Sequence, residues 1–510
     1  MLDLIIIGGG INGAGIARDA AGRGLKVLLC EKDDLAAHTS SSSSKLIHGG
    51  LRYLEYYEFR LVAEALTERE TLLGIAPHII WPLEFVMPHV PELRPAWMIR
   101  VGLFMYDHLG KREKLPGSRG VKLGGQGYGA NIRPDIRRGF IYSDCWVDDA
   151  RLVALNARAA ADLGAEILTR TECVAGRRLE DRWQIDLRAP DGTVRTVEAK
   201  GVVNAAGPWV KAILDGELHQ PTKANVKQVK GSHIVVPRLY DGEHAYILQN
   251  DDKRIVFLLP YEQDYTLIGT TDIEVQDAPG ASRISPEEVD YLCRAANRYL
   301  AKPIAPSDVV WSYAGVRPLY DDGAEDPSAV TRDYTLVLDV AYPQSPLLSV
   351  FGGKITTYRK LSDAVMDKLR PSFPQMTASW TGTKPLPGGD LPNADFEAFD
   401  AALTRDYAAL PADYLRRLAR RHGSNARRIL DDAKATGDLG THFGDTLYQR
   451  EVDWLVEQEW ARTADDVLWR RTKCGLHMTE PQRAAVAAYL AQRAAAAGSP
   501  DATQHAAAAR

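Results

Sequence analysis

The sequence predicts an α/β fold in three parts: a dinucleotide-binding domain, an antiparallel sheet inserted into it, and an all-α C-terminal domain. Three observations carry this. The chain opens on an apolar strand that enters a glycine-spaced turn. Between 228 and 275, apolar residues come in short, alternating, strand-length runs. Beyond 370–392, where Pro371, Pro374, Pro385, Pro387, Gly388, Gly389 and Pro392 accumulate, the sequence becomes helical and polar. The expected division is a discontinuous nucleotide-binding domain over 1–374, with the inserted sheet at about 76–140 and 225–325, and a helical domain over 375–510.

In Asp3-Leu-Ile-Ile-Ile-Gly-Gly-Gly-Ile-Asn-Gly13, the residues Gly8, Gly10 and Gly13 have G-x-G-x-x-G spacing. The first glycine permits a tight turn, the second lets backbone approach a pyrophosphate, and the third lets the following helix pack on the strand. That helix is predicted over 12–23, with Ile11 and Asn12 at its entry and its free N–H groups facing an anion. Gly24 ends it, and Lys26-Val-Leu-Leu-Cys30 reads as a second strand. Glu31 follows, placed to accept hydrogen bonds from an adenosine ribose. Strand, helix, strand and acid in this order make a Rossmann-type unit.

The run Ser40 to Ser44 leads into Lys45-Leu-Ile-His-Gly-Gly-Leu-Arg-Tyr-Leu54. A serine run is commonly a linker. Placed between the ribose-binding strand and Gly49-Gly50, it is expected to lie on the cofactor, lined by Ser43, Ser44, Leu46, His48, Gly49 and Gly50. Arg52 and Tyr53 then stand next to what the loop contacts. Residues 58–75 read as a helix. Segment 94–114 is apolar on every side of a helix, which points to burial. Its aromatic residues and Lys111, Arg112 and Lys114 support a second reading, rest at a membrane interface. Residues 115–138 read as loops, a helix follows Asp148-Asp149, and a strand pair occupies 183–187 and 194–197. Two later strands end in small residues, Asn204-Ala-Ala-Gly207 and Phe351-Gly-Gly-Lys-Ile-Thr-Thr357. Their Ala206, Gly207, Gly353, Lys354 and Thr356 are expected to reach the same cofactor. A further helix is predicted near 285–300.

Composition excludes several classes. Of 510 residues, 45% are hydrophobic and 25% charged, ordinary for a globular protein. A net charge of -5 provides no basic field for nucleic acid, so anion recognition must be local. Cys30, Cys145, Cys173, Cys293 and Cys474 contain no C-x-x-C pair, which argues for reduced thiols and against a disulfide framework or a metal site. The first core strand begins too early for a signal peptide, and no apolar run reaches the roughly 18–20 residues that span a bilayer.

Together with Tyr142-Ser-Asp-Cys-Trp-Val-Asp-Asp149, Lys230-Gly-Ser-His-Ile-Val-Val236, Gly269-Thr-Thr-Asp272, Ser312-Tyr-Ala-Gly-Val-Arg-Pro-Leu319, Thr331-Arg-Asp-Tyr334 and Asp466-Val-Leu-Trp-Arg-Arg-Thr-Lys473, these motifs resemble the bacterial aerobic glycerol-3-phosphate dehydrogenases. These belong to the D-amino-acid-oxidase-like flavoproteins. The resemblance implies a Rossmann-type FAD-binding domain with non-covalent FAD. It also implies a homodimer, peripheral on the cytoplasmic side of the inner membrane. The implied reaction oxidises sn-glycerol 3-phosphate to dihydroxyacetone phosphate and passes electrons to ubiquinone or a related quinone.

The residues fit that chemistry. A single G-x-G-x-x-G points to hydride from the substrate and not from a nicotinamide. A phosphomonoester carries nearly two negative charges and needs hydrogen-bonding cations. Arg52, Arg317, Arg332 and Lys354 all lie in motifs predicted to face the cofactor, with Tyr53 as a further contact. Hydride leaves C2 for flavin N5 while the hydroxyl loses a proton, and His233 is the first candidate for the base, acting with Arg317 and Lys354. The other reading makes His233 a structural neighbour of the flavin. Asp272 could orient the base or a substrate hydroxyl. Three alternatives remain: a glycerol-3-phosphate oxidase using oxygen, an amine oxidase of the same group, and a non-catalytic flavoprotein that docks through its C-terminal domain.

Overall fold

A strand with parallel neighbours on both sides must be apolar on both faces, and Leu4, Ile5 and Ile6 are fully buried. In the computed structural model, Leu2–Ile7 lies between Val27–Cys30 and Val194–Asn204, parallel to both. Leu347–Phe351 extends this sheet beyond Val194–Asn204, and Glu166–Leu168 extends it beyond Val27–Cys30. The structure describes residues 1–510 except 91–94, 111, 253, 276–279, 281, 322–332, 341–344, 497 and 499–510. The predicted strand pair is present as Glu172–Arg178, Trp183–Arg188 and the start of Val194–Asn204, all antiparallel.

Helices Ile11–Gly22, Asp149–Asp162 and Tyr358–Leu369 bury one face of the sheet in a shared core. Alanines at 14, 17, 20 and 21 let the first helix sit deep in it. Asp148 caps the second, its side chain accepting the Arg151 N–H; such a cap contributes about 1 kcal/mol.

The second sheet follows the period of two. Ile234, Val236, Leu258 and Ile268 point into a core with Leu292 and Ala296 of the helix Pro286–Asn297. Their neighbours Val235, Leu259 and Leu267 point the other way, to Val62 and Leu66 of Phe59–Ile75 and Leu103 of Ala96–His108. The strand Val226–Pro237 pairs with Trp311–Tyr320 on one side and Tyr265–Gly269 on the other. This register sets His233 between Tyr313 and Gly269. Within 115–138, expected as loops, Arg119–Lys122 forms an edge strand on Arg138–Val147.

The expected burial of segment 94–114 is corrected, since the helix Ala96–His108 is buried on one face only. Ile99, Leu103 and Tyr106 enter the core, whereas Trp97 (67% exposed), Met98, Val101 and Phe104 (60%) face outward. An apolar residue on every side signals burial only when neighbours cover every side, and here they do not. Arg94 and Lys111 lie outside the described residues.

The C-terminal part is built on the helices Phe396–Asp406, Ala412–His422, Gln449–Glu459 and Glu480–Ala496, with one short hairpin, His442–Gly444 and Leu447–Tyr448, added to the expected all-α arrangement. Its two cores centre on Leu415, Leu418 and Leu430, and on Val452, Leu455 and Leu468. Before it, Phe373, Met376 and Leu386 still pack in the nucleotide-binding core.

A β-carbon at Gly13 would lie 1.9 Å from the Gly8 carbonyl oxygen, whereas one at Gly24 would meet nothing within 4 Å. Gly13→Ala is therefore expected to destabilise the fold by about 3 kcal/mol or more. Gly24→Ala, strained only by its positive φ, should cost about 1 kcal/mol. Urea unfolding midpoints of the two variants check the contrast.

Candidate active site

A cavity opens at the carboxyl ends of the parallel strands, where open α/β sheets bind ligands. Eight of the predicted cofactor residues line it: Gly8, Gly10, Ile11, Asn12, Glu31, Ala206, Gly207 and Gly353. Gly13 stands behind it against Gly8. The wall depends on glycine, because a β-carbon at Gly8 would lie 2.6 Å from the Ala205 carbonyl oxygen. The Glu31 carboxylate accepts the N–H groups of Gly9 (2.6 Å) and Asp33 (2.9 Å). Burial pushes its pKa up against those two bonds. Asn12 Nδ2 donates to the Gly352 carbonyl at 3.1 Å, joining the first turn to a strand 340 residues later.

The serine loop is held by bonds of its own. Ser43 N–H and Oγ donate to Asp149 (3.1 and 2.7 Å), and Lys45 Nζ donates to the same carboxylate at 2.7 Å. Ser43 thus serves a buried ion pair. Leu46 is a core residue, paired with Trp146 across a buried strand. Ser44 Oγ reaches His233 Nε2 at 2.9 Å. The His48 N–H donates to Thr356 Oγ1 at 3.3 Å, which ties the loop to the short helical turn Ile355–Thr357 after the strand Leu347–Phe351. Gly49 is required by packing, since a β-carbon there would lie 2.6 Å from the Leu66 side chain. Gly50 takes φ +78 and folds Tyr53 back over itself. Lys354 Nζ lies 3.7 Å from the centre of the Tyr53 ring.

His233 is buried, stacked on Tyr313 with ring centres 4.8 Å apart. Burial, then the nearby Lys45 and Arg317, hold its pKa well below 6.5, so the ring is neutral. Its Nδ1 has no hydrogen-bond partner among the described residues. Arg317 pairs with Asp272 and donates to the Thr271 carbonyl (2.9 Å) and Thr270 Oγ1 (3.2 Å). Asp272, expected to orient the base or a hydroxyl, instead anchors this guanidinium. A β-carbon at Gly231 would lie 2.0 Å from Arg317 Nη2, so that glycine lets the guanidinium lie on the sheet face that carries His233. Arg52 turns toward Tyr56, donating to its hydroxyl at 3.3 Å. Arg332 lies outside the described residues.

Sequence reasoning missed Tyr313, Thr270, and the Lys45–Asp149 pair that holds the serine loop. Tyr313 reaches His233 through strand register, which no spacing within one sequence announces. It also missed His38 and Trp209, which pack 4.6 Å apart beside the cavity. The glycine cradle fits a dinucleotide. Gly10, Ile11 and Asn12, at the N-terminal end of Ile11–Gly22, would hold its pyrophosphate, and Glu31 its ribose.

His233 is neutral when folded but titrates near 6.5 when unfolded. Its stability contribution is complete above about pH 6.5 and is lost as pH falls toward the depressed folded value. His233→Asn should therefore make the fall in unfolding midpoint between about pH 7 and 5 shallower. An unchanged slope in chemical denaturation would exclude the buried neutral ring.

Residues 3–359 match the family model described as FAD dependent oxidoreductase, and residues 379–502 match the C-terminal domain of alpha-glycerophosphate oxidase. The chain is 54% identical over 488 residues to a glycerol-3-phosphate dehydrogenase of Pseudomonas aeruginosa, covering 96% of this chain and 94% of the relative. It is equally 54% identical over 484 residues to a D-erythritol 1-phosphate dehydrogenase of Brucella abortus, covering 95% and 96%. Among solved structures, the glycerol-3-phosphate dehydrogenase from Bacillus halodurans complexed with FAD matches with a TM-score of 0.74 at 28% identity, covering 96% of this chain and 94% of that one. With a glycine cradle suited to a dinucleotide and relatives matched over nearly its whole length, the chain belongs to the FAD dependent oxidoreductase family and takes FAD as its cofactor.

Proposed function

We propose that this enzyme oxidises sn-glycerol 3-phosphate to dihydroxyacetone phosphate and passes the electrons to a membrane quinone. The observation that carries the substrate reading is its near-full-length similarity to proteins named for that reaction. Cations suited to a phosphomonoester support it: Lys354, which lies against the Tyr53 ring, and Arg317, held on the sheet face that carries His233. Arg52 and Arg332 complete the proposed clamp. Because Arg317 is already tethered by Asp272 and the Thr271 carbonyl, it meets the phosphate with little side-chain freedom left to lose.

FAD, when bound, supplies the two-electron acceptor for the hydrogen on C2. The chain handles the proton. In the tautomer that donates Nε2–H to Ser44, the ring presents its Nδ1 lone pair, and His233 takes the C2 hydroxyl proton there. Burial is the main reason the ring stays neutral; Lys45 and Arg317, which add to that effect, also favour the developing alkoxide. A second reading comes from the equally similar D-erythritol 1-phosphate dehydrogenase, whose named substrate also pairs an alcohol with a phosphomonoester.

The membrane reading rests on the helix Ala96–His108. Trp97, Met98, Val101 and Phe104 form an outward apolar stripe at helical spacing, with Arg100 beside it. Tyr56, Tyr57 and Phe59 are exposed on the adjoining segment. The turn Leu51–Tyr56, which packs on this helix, also carries Arg52 and Tyr53, so the apolar face adjoins the proposed substrate residues. That adjacency suits a quinone arriving from the lipid. Among the described residues, no helix is long and apolar enough to cross a membrane. A homodimer resting on the cytoplasmic side of the inner membrane completes the proposal.

Under anaerobic conditions, glycerol 3-phosphate should bleach the flavin faster than D-erythritol 1-phosphate does. An unreduced flavin overturns the substrate reading, and the reverse preference moves it to the longer polyol phosphate. Arg317→Lys should raise KM roughly ten- to a hundredfold by losing a forked contact. His233→Ala should slow flavin reduction by roughly 10²–10⁴; a near-normal rate from about pH 6 to 9 removes His233 as the base.

The protein should sediment with anionic liposomes at low salt, and Trp97→Glu with Phe104→Glu should leave it in the supernatant with flavin reduction by substrate intact. If wild type does not sediment, the interface reading is wrong.

A further inference from the structure

The proposed chemistry gives no role to Asp466-Val-Leu-Trp-Arg-Arg-Thr-Lys473. Its first six residues form a single wide π-helical turn, Asp466–Arg471. Asp466 begins it, its carboxylate accepting the N–H groups of the preceding Arg462 (2.7 Å) and Thr463 (2.9 Å). The side chains that leave this turn reach the start of the molecule. Arg471 Nη1 and Nη2 donate to the two oxygens of Asp34 at 2.7 and 2.8 Å, and Arg470 Nε donates to Asp34 at 2.6 Å. Arg471 Nη2 also donates to the Glu459 carbonyl at 2.7 Å, which fixes the guanidinium within its own domain. Arg471 and Asp34 are both buried.

Asp34 belongs to the loop 31–40 that walls the cofactor cavity. At one end of this loop Glu31 accepts the Gly9 N–H; at the other, Ser40 Oγ accepts the Ile11 N–H at 3.0 Å. Between them Ala36 N–H donates to the Gly9 carbonyl at 3.2 Å, and Ala36 to Ser40 line the cavity. Midway along, Asp34 is gripped by two arginines that lie 436 and 437 residues further along the chain. The same turn also touches the second sheet, where Trp469 stacks on Trp311 with ring centres 5.0 Å apart. A loop left free would lose backbone freedom on closing around a ligand, at about 1–2 kcal/mol per ordered residue. A loop already held loses little.

We propose that Arg471, acting through Asp34, is a positioning residue for FAD, by which the C-terminal domain holds loop 31–40 in its cofactor-binding shape. The proposal rests on the cofactor of the family and is independent of the substrate reading. A buried forked pair is well suited to the task. It tolerates one geometry only, and each partner is costly to leave uncompensated.

FAD release from diluted holoenzyme, followed by flavin fluorescence, tests it. Arg471→Lys keeps the charge but cannot span both Asp34 oxygens and the Glu459 carbonyl, so the FAD Kd should rise at least tenfold. Asp34→Asn, which keeps the shape and removes the charge, should do the same. The double variant should be no worse than the weaker binder of the two. Arg421→Lys is the control: it disrupts an equally buried forked pair, with Glu451 at 2.7 and 2.8 Å, inside the C-terminal domain. It should leave the FAD Kd within about twofold while lowering Tm comparably. An unchanged Kd in Arg471→Lys and Asp34→Asn overturns the proposal, as does an equal loss of FAD from Arg421→Lys. If Arg471→Lys does not fold, Asp34→Asn against the control decides it.

Discussion

Where Gly13 faces the Gly8 carbonyl there is no room for a β-carbon, and that clearance governs how closely the first helix approaches the first strand. Everything at the cavity follows from the approach. It aims the helix N-terminus into the space between strands, and it lets Asn12 reach the Gly352 carbonyl. Gly353, just after the returning strand, stands at φ +98, a conformation that strains any side chain, so glycine is needed there too. The junction with the C-terminal part repeats the device, for a β-carbon at Gly423 would lie 1.8 Å from the Gly388 carbonyl oxygen. Small residues bring the backbones together, and larger side chains then fill the space around them.

Buried ion pairs tie the pieces joined in this way. Lys45 with Asp149 holds the serine loop to a helix, and Arg69 with Asp144 holds a helix to the second sheet. Arg359 with Glu68 joins two helices, and Arg151 with Glu459 joins the nucleotide-binding layer to the C-terminal helices. Such pairs add little net stability, because desolvation offsets much of their attraction. What they confer is geometry. In this molecule they lie at seams between elements far apart in sequence, where a displaced element would strand two charges in a dry interior.

The nucleotide-binding half was legible because its signals are local. Gly8, Gly10, Gly13 and Glu31 lie within one strand–helix–strand unit, and their spacing states the geometry. The alternation through 228–275 likewise revealed two-faced strands. What could not be read was set by register and by distance. Nothing near His233 announces Tyr313, which meets it across a strand pair formed 80 residues later. Asp272 and Arg317 looked like separate contacts because only the folded sheet shows that they pair. Ser43 and Leu46 sit in a motif that suggests a cofactor, yet one serves Asp149 and the other the core. The helix Ala96–His108 was misread because an apolar pattern does not record which neighbours exist to cover it.

The order in which the strands are made has a consequence for synthesis. Leu2–Ile7 leaves the ribosome well before its parallel partner Val194–Asn204 and the next strand, Leu347–Phe351. At roughly 5–20 residues per second, the first strand waits on the order of 10–40 s for one and roughly 15–70 s for the other. Throughout that interval an apolar segment with open backbone groups is available to any other strand, including that of a nascent neighbour. The sheet that holds the cofactor is thus the last layer of the first half to close, and its opening segment the longest in need of shelter.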